Sequence, residues 1–216
     1  MLHVWKNLPV AKKLYAVVGI MASLIAMELF TLFFAMNTLS AVRTFVDGES
    51  MWSKAQKNAV HSLYSYIFTK DDKYYNEFKS YLLIPLGDRI AHNEINKGTF
   101  DREIIAKGFL QGGVHPKDIP GAIDFVIRFH NVQHVKRALD AWNRGNVYID
   151  QLINIADRLH IVLHNKGDTQ HEIKKIMAEI DVINSELTRL ETEFSTALGE
   201  GSRWLERLLL SLIHIS

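Results

Sequence analysis

One stretch limits what this chain can fold into more than any other. Leu14 to Met36 reads LYAVVGIMASLIAMELFTLFFAM, about two dozen residues with a single charge, Glu28. A helix of that length spans a bilayer hydrocarbon core of roughly 30 Å. The apolar region of a cleaved signal is shorter, about 7 to 15 residues, and is followed by a small-residue cleavage site. We therefore read residues 14–36 as a transmembrane helix. Lys6, Lys12 and Lys13 precede it and the neutral NTLSAV follows, so the positive-inside bias places residues 1–13 in the cytoplasm and the rest outside. Within the span, Glu28 is either a polar contact to a partner helix or a proton-linked group, against the plainer reading of a protonated or snorkelling side chain.

Beyond the span the helical pattern continues. Leu39, Val42, Val46, Trp52, Ala59, Leu63 and Tyr66 recur at three- and four-residue steps or their multiples, which predicts one helix running on to about Thr69. Thr69-Lys70-Asp71-Asp72 is a polar break with capping residues. KYYNEFKSYLLI then makes a short amphipathic helix ended by Pro85, and LGDRIAHNEINK the next, stopping at Gly98. Asp101 caps a further helix into Gly108. Ile119 to Trp142 and Val147 to Asn165 read as two long helices separated by a turn at Asn143-Arg144-Gly145-Asn146. The last segment has heptad spacing at Ile173, Met177, Ile180, Ile183, Leu187, Leu190, Phe194 and Ala197. Residues 37–69 and 169–204 span roughly 50 and 54 Å at 1.5 Å per residue, so they can lie antiparallel along one bundle and return the chain to the membrane. The expected fold is all-α: an elongated, four-helix-bundle-like extracytoplasmic domain over residues 37–203, after the first span. Residues 204–209 begin a second membrane run. Residues 210–216, LSLIHIS, match the translation of a transposon-end sequencing adapter, so the natural sequence is expected to continue differently past Leu209, and His214 is set aside as a site.

Composition narrows the function classes. A net charge of +1 with mixed-sign charges provides no basic stripe for nucleic acid, and the absence of cysteine excludes disulfides and thiolate chemistry. His171-Glu172-Ile173-Lys174-Lys175 resembles the opening of a kinase phosphoacceptor box but lacks the following proline and lies on the outer side. The same segment misses the second histidine of a metalloprotease motif, and GFLQGGVHPKD lacks the lysine and hydroxyl of a phosphate loop. No catalytic residue and no cofactor is expected in this segment.

The segment Gly108 to Ile123, GFLQGGVHPKDIPGAI, holds four of twelve glycines and two of four prolines, so it is either a shaped connector or a site. As a site, Gln111, His115, Lys117 and Asp118 form a polar set beside a helix start, suited to an anion. As a connector, it packs Phe109, Leu110 and Ile119 against the bundle while Asp118 caps the next helix. Two histidine pairs at i, i+4 spacing, His130 with His134 and His160 with His164, are weak metal or pH-sensing candidates, with Glu94, Asp101 or His115 as a possible third ligand. Trp52, Trp142, Tyr64, Tyr74 and Tyr75 are candidates for caging a cation, or for packing.

In combination, ELFTLFFAMNTLSAVR, WSKAQKNAVHSLYSY, KGFLQGGVHPKDIPGAI and LTRLETEFSTALGEGSRWLE resemble the N-terminal sensor region of bacterial membrane-bound sensor histidine kinases and diguanylate cyclases. The resemblance spans about residues 14–209. It implies a sensory input module at the bacterial inner membrane, with a periplasmic or extracellular sensor domain, usually a homodimer, responding to a small-molecule or protein stimulus. A histidine kinase is the first expectation for the output and a diguanylate cyclase the second. A chemoreceptor and a membrane-tethered adhesion or scaffold protein are the readings from other classes.

Overall fold

The computed structural model describes residues 9–165 and 169–213, with the backbone alone for 208–213. Residues 1–8, Lys6 among them, and 214–216 with His214 lie outside the described residues. Within the described residues all regular structure is α-helical: α1 (Val10–Thr69), α2 (Asp72–Tyr81), α3 (Leu83–Lys97), α4 (Arg102–Gln111), α5 (Ile119–Phe129), α6 (Gln133–His164) and α7 (Gln170–Ile213).

Helix α1 is one uninterrupted element of 60 residues. No residue from Val10 to Asn37 is buried, and this part is long and apolar enough to cross a membrane. Thr38 is the first buried position, and from there Ala41, Val42, Ala55, Ala59, Leu63 and Tyr66 turn inward. Leu39 and Val46 were expected in that stripe but are 44% and 48% exposed. Helix α5 packs on the Ala41, Val42 and Phe45 side, which leaves both on the flank.

The turns follow local chemistry. Lys70 closes α1 in the left-handed region (φ 58°), and the Asp71 side chain accepts from Lys73 N at 2.9 Å to start α2. Pro85 sits in the first turn of α3, where its missing N–H leaves no intrahelical bond unmade. Gly98 (φ 73°) ends that helix, and Asp101 accepts from Glu103 N and Ile104 N to open α4. The buried Glu94 carboxylate accepts from the Thr99 hydroxyl, from Lys97 Nζ at 3.1 Å and from Asp101 N at 3.3 Å, and these hydrogen bonds hold its pKa below the usual range.

Three sequence expectations are corrected. Helix α4 runs through Gly108 to Gln111, so the glycine-rich connector begins at Gly112. Asp118 precedes α5 in a helical conformation and makes no capping bond. There is no turn at Asn143–Asn146: α6 passes straight through, and the break between the two long segments lies at His130–Val132. A Cβ at Gly145 would lie 3.6 Å from the Trp52 indole, an ordinary contact, so the helix carries this glycine without a turn and without a close crossing.

Helices α6 and α7 run antiparallel, fixed by Arg137–Glu200, Arg144–Glu193 and Arg158–Glu179 ion pairs at 2.7, 2.5 and 2.5 Å. Helices α1 and α7 are also antiparallel. Gln56 Nε2 donates to Asn184 at 3.0 Å, Lys57 pairs with Glu191 at 3.2 Å, and the Tyr64 hydroxyl donates to Asp181. The heptad stripe of α7 is buried at Ile180, Ile183, Leu187, Leu190 and Ala197, joined by Ile176, while Ile173, Met177 and Phe194 are half-buried.

The apolar interior among the described residues has two main clusters and a small third, in which Ala138 of α6 meets Ala197 and Leu198 of α7. One core joins the far half of α1, the α2 side chain Phe78, α6 and α7 around Leu63, Tyr66, Leu152, Leu159, Ile180 and Leu187. The other joins Ala41 and Val42 of α1 with α3, α4, α5 and the start of α6.

Candidate ligand cavity

Between the two cores lies a cavity of about 60 Å³. That is room for a group of a few non-hydrogen atoms, well below the roughly 150 Å³ needed for a benzene ring. Helix α1 contributes Phe45, Gly48, Glu49 and Trp52, and α7 contributes Leu190, Glu191 and Phe194. From the other sides come Asp88 of α3, Phe109 of α4, and Trp142 and Gly145 of α6.

The glycines explain how Asp88 gets there. A Cβ on Gly108 would lie 2.4 Å from Ala91 N, and one on Gly87 would lie 2.6 Å from Gly112 N, so α3 and α4 meet backbone to backbone. A Cβ on Gly112 would fall 1.9 Å from Asp88 Oδ1. One on Gly113 (φ 91°) would strike Met51 Cε at 2.3 Å. The glycine-rich stretch is thus a close-approach device that seals α3 and α4 over an acidic side chain.

Asp88 is 6% exposed, and burial alone pushes its pKa well above the ordinary aspartate value. Glu49 is raised too, chiefly by burial and further by the Glu191 charge, against a hydrogen bond from Ser195 and the charge of Lys57. Both carboxyls are therefore biased toward the neutral form. The wall carries no lysine or arginine, and Trp52 keeps a buried indole N–H without an acceptor among the described residues. The exposed lining is almost wholly apolar and aromatic, with Asp88, Glu49 and Glu191 among the residues around it.

The candidate residues from the sequence fall in several places. Trp52 and Trp142 do meet at one cavity, but Tyr64, Tyr74 and Tyr75 stand elsewhere: Tyr64 on Asp181, Tyr74 beside Lys73, and Tyr75 donating to Asp157 at 2.7 Å. Gln111, His115, Lys117 and Asp118 are all exposed. Gln111 donates to Leu83 O at 3.1 Å, His115 Nδ1 accepts from Lys117 N at 3.3 Å, and Lys117 and Asp118 edge an open groove with Asp124 and Arg128. The four do not gather around one pocket. Of the connector's apolar residues, Phe109 and Ile119 are buried, whereas Leu110 is 55% exposed.

His130 and His134 are not on one helix: His130 ends α5, with Nδ1 3.0 Å from Ile127 O, and His134 lies in α6, 3.6 Å from Glu200. His160 and His164 share a face of α6, as their spacing predicts. Glu94 and Asp101 are engaged with each other in the α3–α4 turn, so neither joins a histidine pair. Glu28 is exposed on α1 and makes no hydrogen bond or ion pair among the described residues. Asp88, Glu49 and Glu191 were missed, because in sequence they are ordinary helix carboxyls; the signal available was the glycine spacing that buries the first.

No family model, no curated protein and no solved structure matches this chain.

Proposed function

We propose that the chain is the sensory input region of a transmembrane bacterial signalling protein, anchored by α1 and arranged outside the membrane like a four-helix bundle. The observation that carries this reading is the placement of the cavity. Its wall takes Glu49 and Trp52 from α1 and Glu191 and Phe194 from α7, the two antiparallel helices whose ends lie toward the apolar segment. A bound group touches both, so any difference in its affinity for two arrangements of these helices becomes a displacement directed at the membrane.

The stimulus that suits the cavity is a small organic cation bearing a primary or methylated ammonium. On entry Asp88 releases its proton and pairs with the ligand, so uptake tightens with pH by up to about tenfold per pH unit until the raised pKa is passed. Lys12 and Lys13 on the near side of the apolar run support a periplasmic or extracellular orientation for residues 37–203. The resemblance to sensor histidine kinases supports that output first, a diguanylate cyclase second, and a homodimer as the working unit.

Calorimetric titration of the purified chain with methylammonium and ethanolamine, in two buffers of different ionisation enthalpy, tests the site. Binding with proton release that is lost in Asp88→Asn is the expected result; equal binding by that variant refutes the assignment. Sequencing the gene past the codon for Leu209 tests the output. A histidine box with an ATP-binding domain supports the kinase, and a stop codon just after a second span removes both enzymes from consideration.

A further inference from the structure

At the end of the bundle away from the apolar run, the chain reversal after α1 brings three metal-ligating side chains together. Asp72 opens α2, and His160 and His164 sit one turn apart near the end of α6. His164 Nε2 lies 3.6 Å from Asp72 Oδ2 and His160 Nδ1 lies 3.7 Å from Asp72 Oδ1, and one ligand atom from each residue falls within 4.8 Å of the others. We propose that Asp72, His160 and His164 form a binding site for a divalent metal ion of the zinc class.

The donor set is two imidazoles and one carboxylate, the set that borderline-soft divalent cations take. Zinc bonds of about 2.0 to 2.2 Å place tetrahedral ligand atoms roughly 3.4 Å apart, so the two histidine–aspartate separations need contract by only a few tenths of an ångström. The surrounding groups orient the ligands as outer-shell partners do. His164 Nδ1 is 2.9 Å from His160 O, which makes it the N–H donor and leaves the Nε2 lone pair facing Asp72. The Tyr75 ring stacks on the His160 imidazole at 4.2 Å and 13°, fixing its plane. The Tyr66 hydroxyl donates to Asp72 Oδ1 at 2.9 Å and lies 2.6 Å from His160 Nδ1. With the Tyr66 proton on Asp72, His160 Nδ1 is the N–H donor to Tyr66 in the metal-free protein; a cation would take the place of that proton, leaving the ring protonated on Nε2, while Tyr66 keeps its bond to the carboxylate. The Asp72, His160 and His164 side chains are 53%, 35% and 56% exposed, so an ion reaches them and solvent completes its coordination. The metal would tie the α1–α2 turn to the end of α6, far from the carboxyl-lined cavity and independent of it.

The test is a titration of the full chain in detergent with zinc chloride, read by competition with a chromogenic chelator and by thermal unfolding. One zinc per chain, a rise in Tm on saturation, and a more than tenfold weaker affinity in both His164→Gln and Asp72→Asn are expected. His61→Gln, on the exposed face of α1, should bind as the parent does. Unchanged zinc affinity in His164→Gln and Asp72→Asn would overturn the proposal. So would a parent chain that takes up no zinc yet loses stability in those variants, since the cluster would then be a histidine–aspartate ion pair only. Because His164 is largely exposed, its variant folds and keeps the comparison decisive.

Discussion

The same chemical change, glycine to alanine, should have opposite signs at two positions of this protein. In the middle of a helix, alanine is favoured over glycine by about 1 kcal/mol through the lower backbone entropy it loses on folding. At Gly48 of α1 a new Cβ meets no atom within 4 Å, because that face fronts the cavity. Gly48→Ala should therefore keep the whole gain and add part of a buried methyl group, in total about 1 to 1.5 kcal/mol. At Gly108 of α4 the added atom would stand 2.4 Å from Ala91 N and 2.9 Å from Gly87 O, where ordinary contact is 3.4–4 Å. Both obstacles are backbone, so α3 and α4 must separate by about 1 Å around Ile105 and Phe109, both buried. Overpacking of this kind costs about 1 to 3 kcal/mol, and with rigid obstacles the upper end applies, for a net loss of about 2 kcal/mol after the helix gain. For a domain of this size 1 kcal/mol moves Tm by about 2 to 4 °C. Thermal unfolding of both variants in one detergent should thus show Gly48→Ala melting about 2 to 6 °C above the parent and Gly108→Ala about 4 to 8 °C below it. A Gly108→Ala protein as stable as the parent would refute the close crossing, and with it the account of why the connector is glycine-rich.

The remaining predictions concern the cavity wall. Because the pKa of Asp88 is raised in the folded state, the parent holds that contribution in full below the unfolded value of about 3.9 and loses it as pH rises through the raised folded value, by up to about 1.4 kcal/mol per pH unit. Asp88→Asn should remove that slope and be at least as stable as the parent at neutral pH; denaturant titrations showing parallel pH profiles would contradict it. Trp52→Ala, at a side chain 8% exposed that packs beside Gly145, should cost about 3 to 5 kcal/mol and lower Tm by roughly 6 to 20 °C. A loss under about 1 kcal/mol in the same unfolding assay would show that the indole does not anchor α1 to α6.

Features set by neighbouring residues were legible before the structure. The continuity of α1 follows from an apolar period without a breaker, and the ends at Lys70, Gly98 and Asp101 follow from capping and left-handed chemistry within four residues. Tertiary demands were not legible. Asn143-Arg144-Gly145-Asn146 has the composition of a turn, yet α6 continues through it, paired to α7 by Arg144 and Glu193. The actual break, His130-Asn131-Val132, contains neither glycine nor proline. Asp88 reads as a solvent-facing carboxyl in LGDRIAHNEINK until α4 covers it. Asp72 reads as part of a capping turn, and only the fold of that turn brings it to the His160–His164 face.

The ion pairs between α6 and α7 carry a mechanical implication. Arg137 and Arg144 are seven residues apart on α6, and their partners Glu200 and Glu193 are seven apart on α7; Arg158 and Glu179 continue the same progression fourteen further on. Gln151 occupies the intermediate step, and Glu186 turns to Arg189 on its own helix instead. The two charge rows therefore act as a vernier, matching at one offset and next at a slip of one heptad, about 10.5 Å. Intermediate slips strand guanidinium and carboxylate groups opposite unmatched positions. Lacking such a repeat, the α1–α7 seam is held by unlike contacts: an amide pair, a lysine–glutamate pair and a tyrosine–aspartate bond. Sliding in small steps is therefore opposed more steeply between α6 and α7 than between α1 and α7.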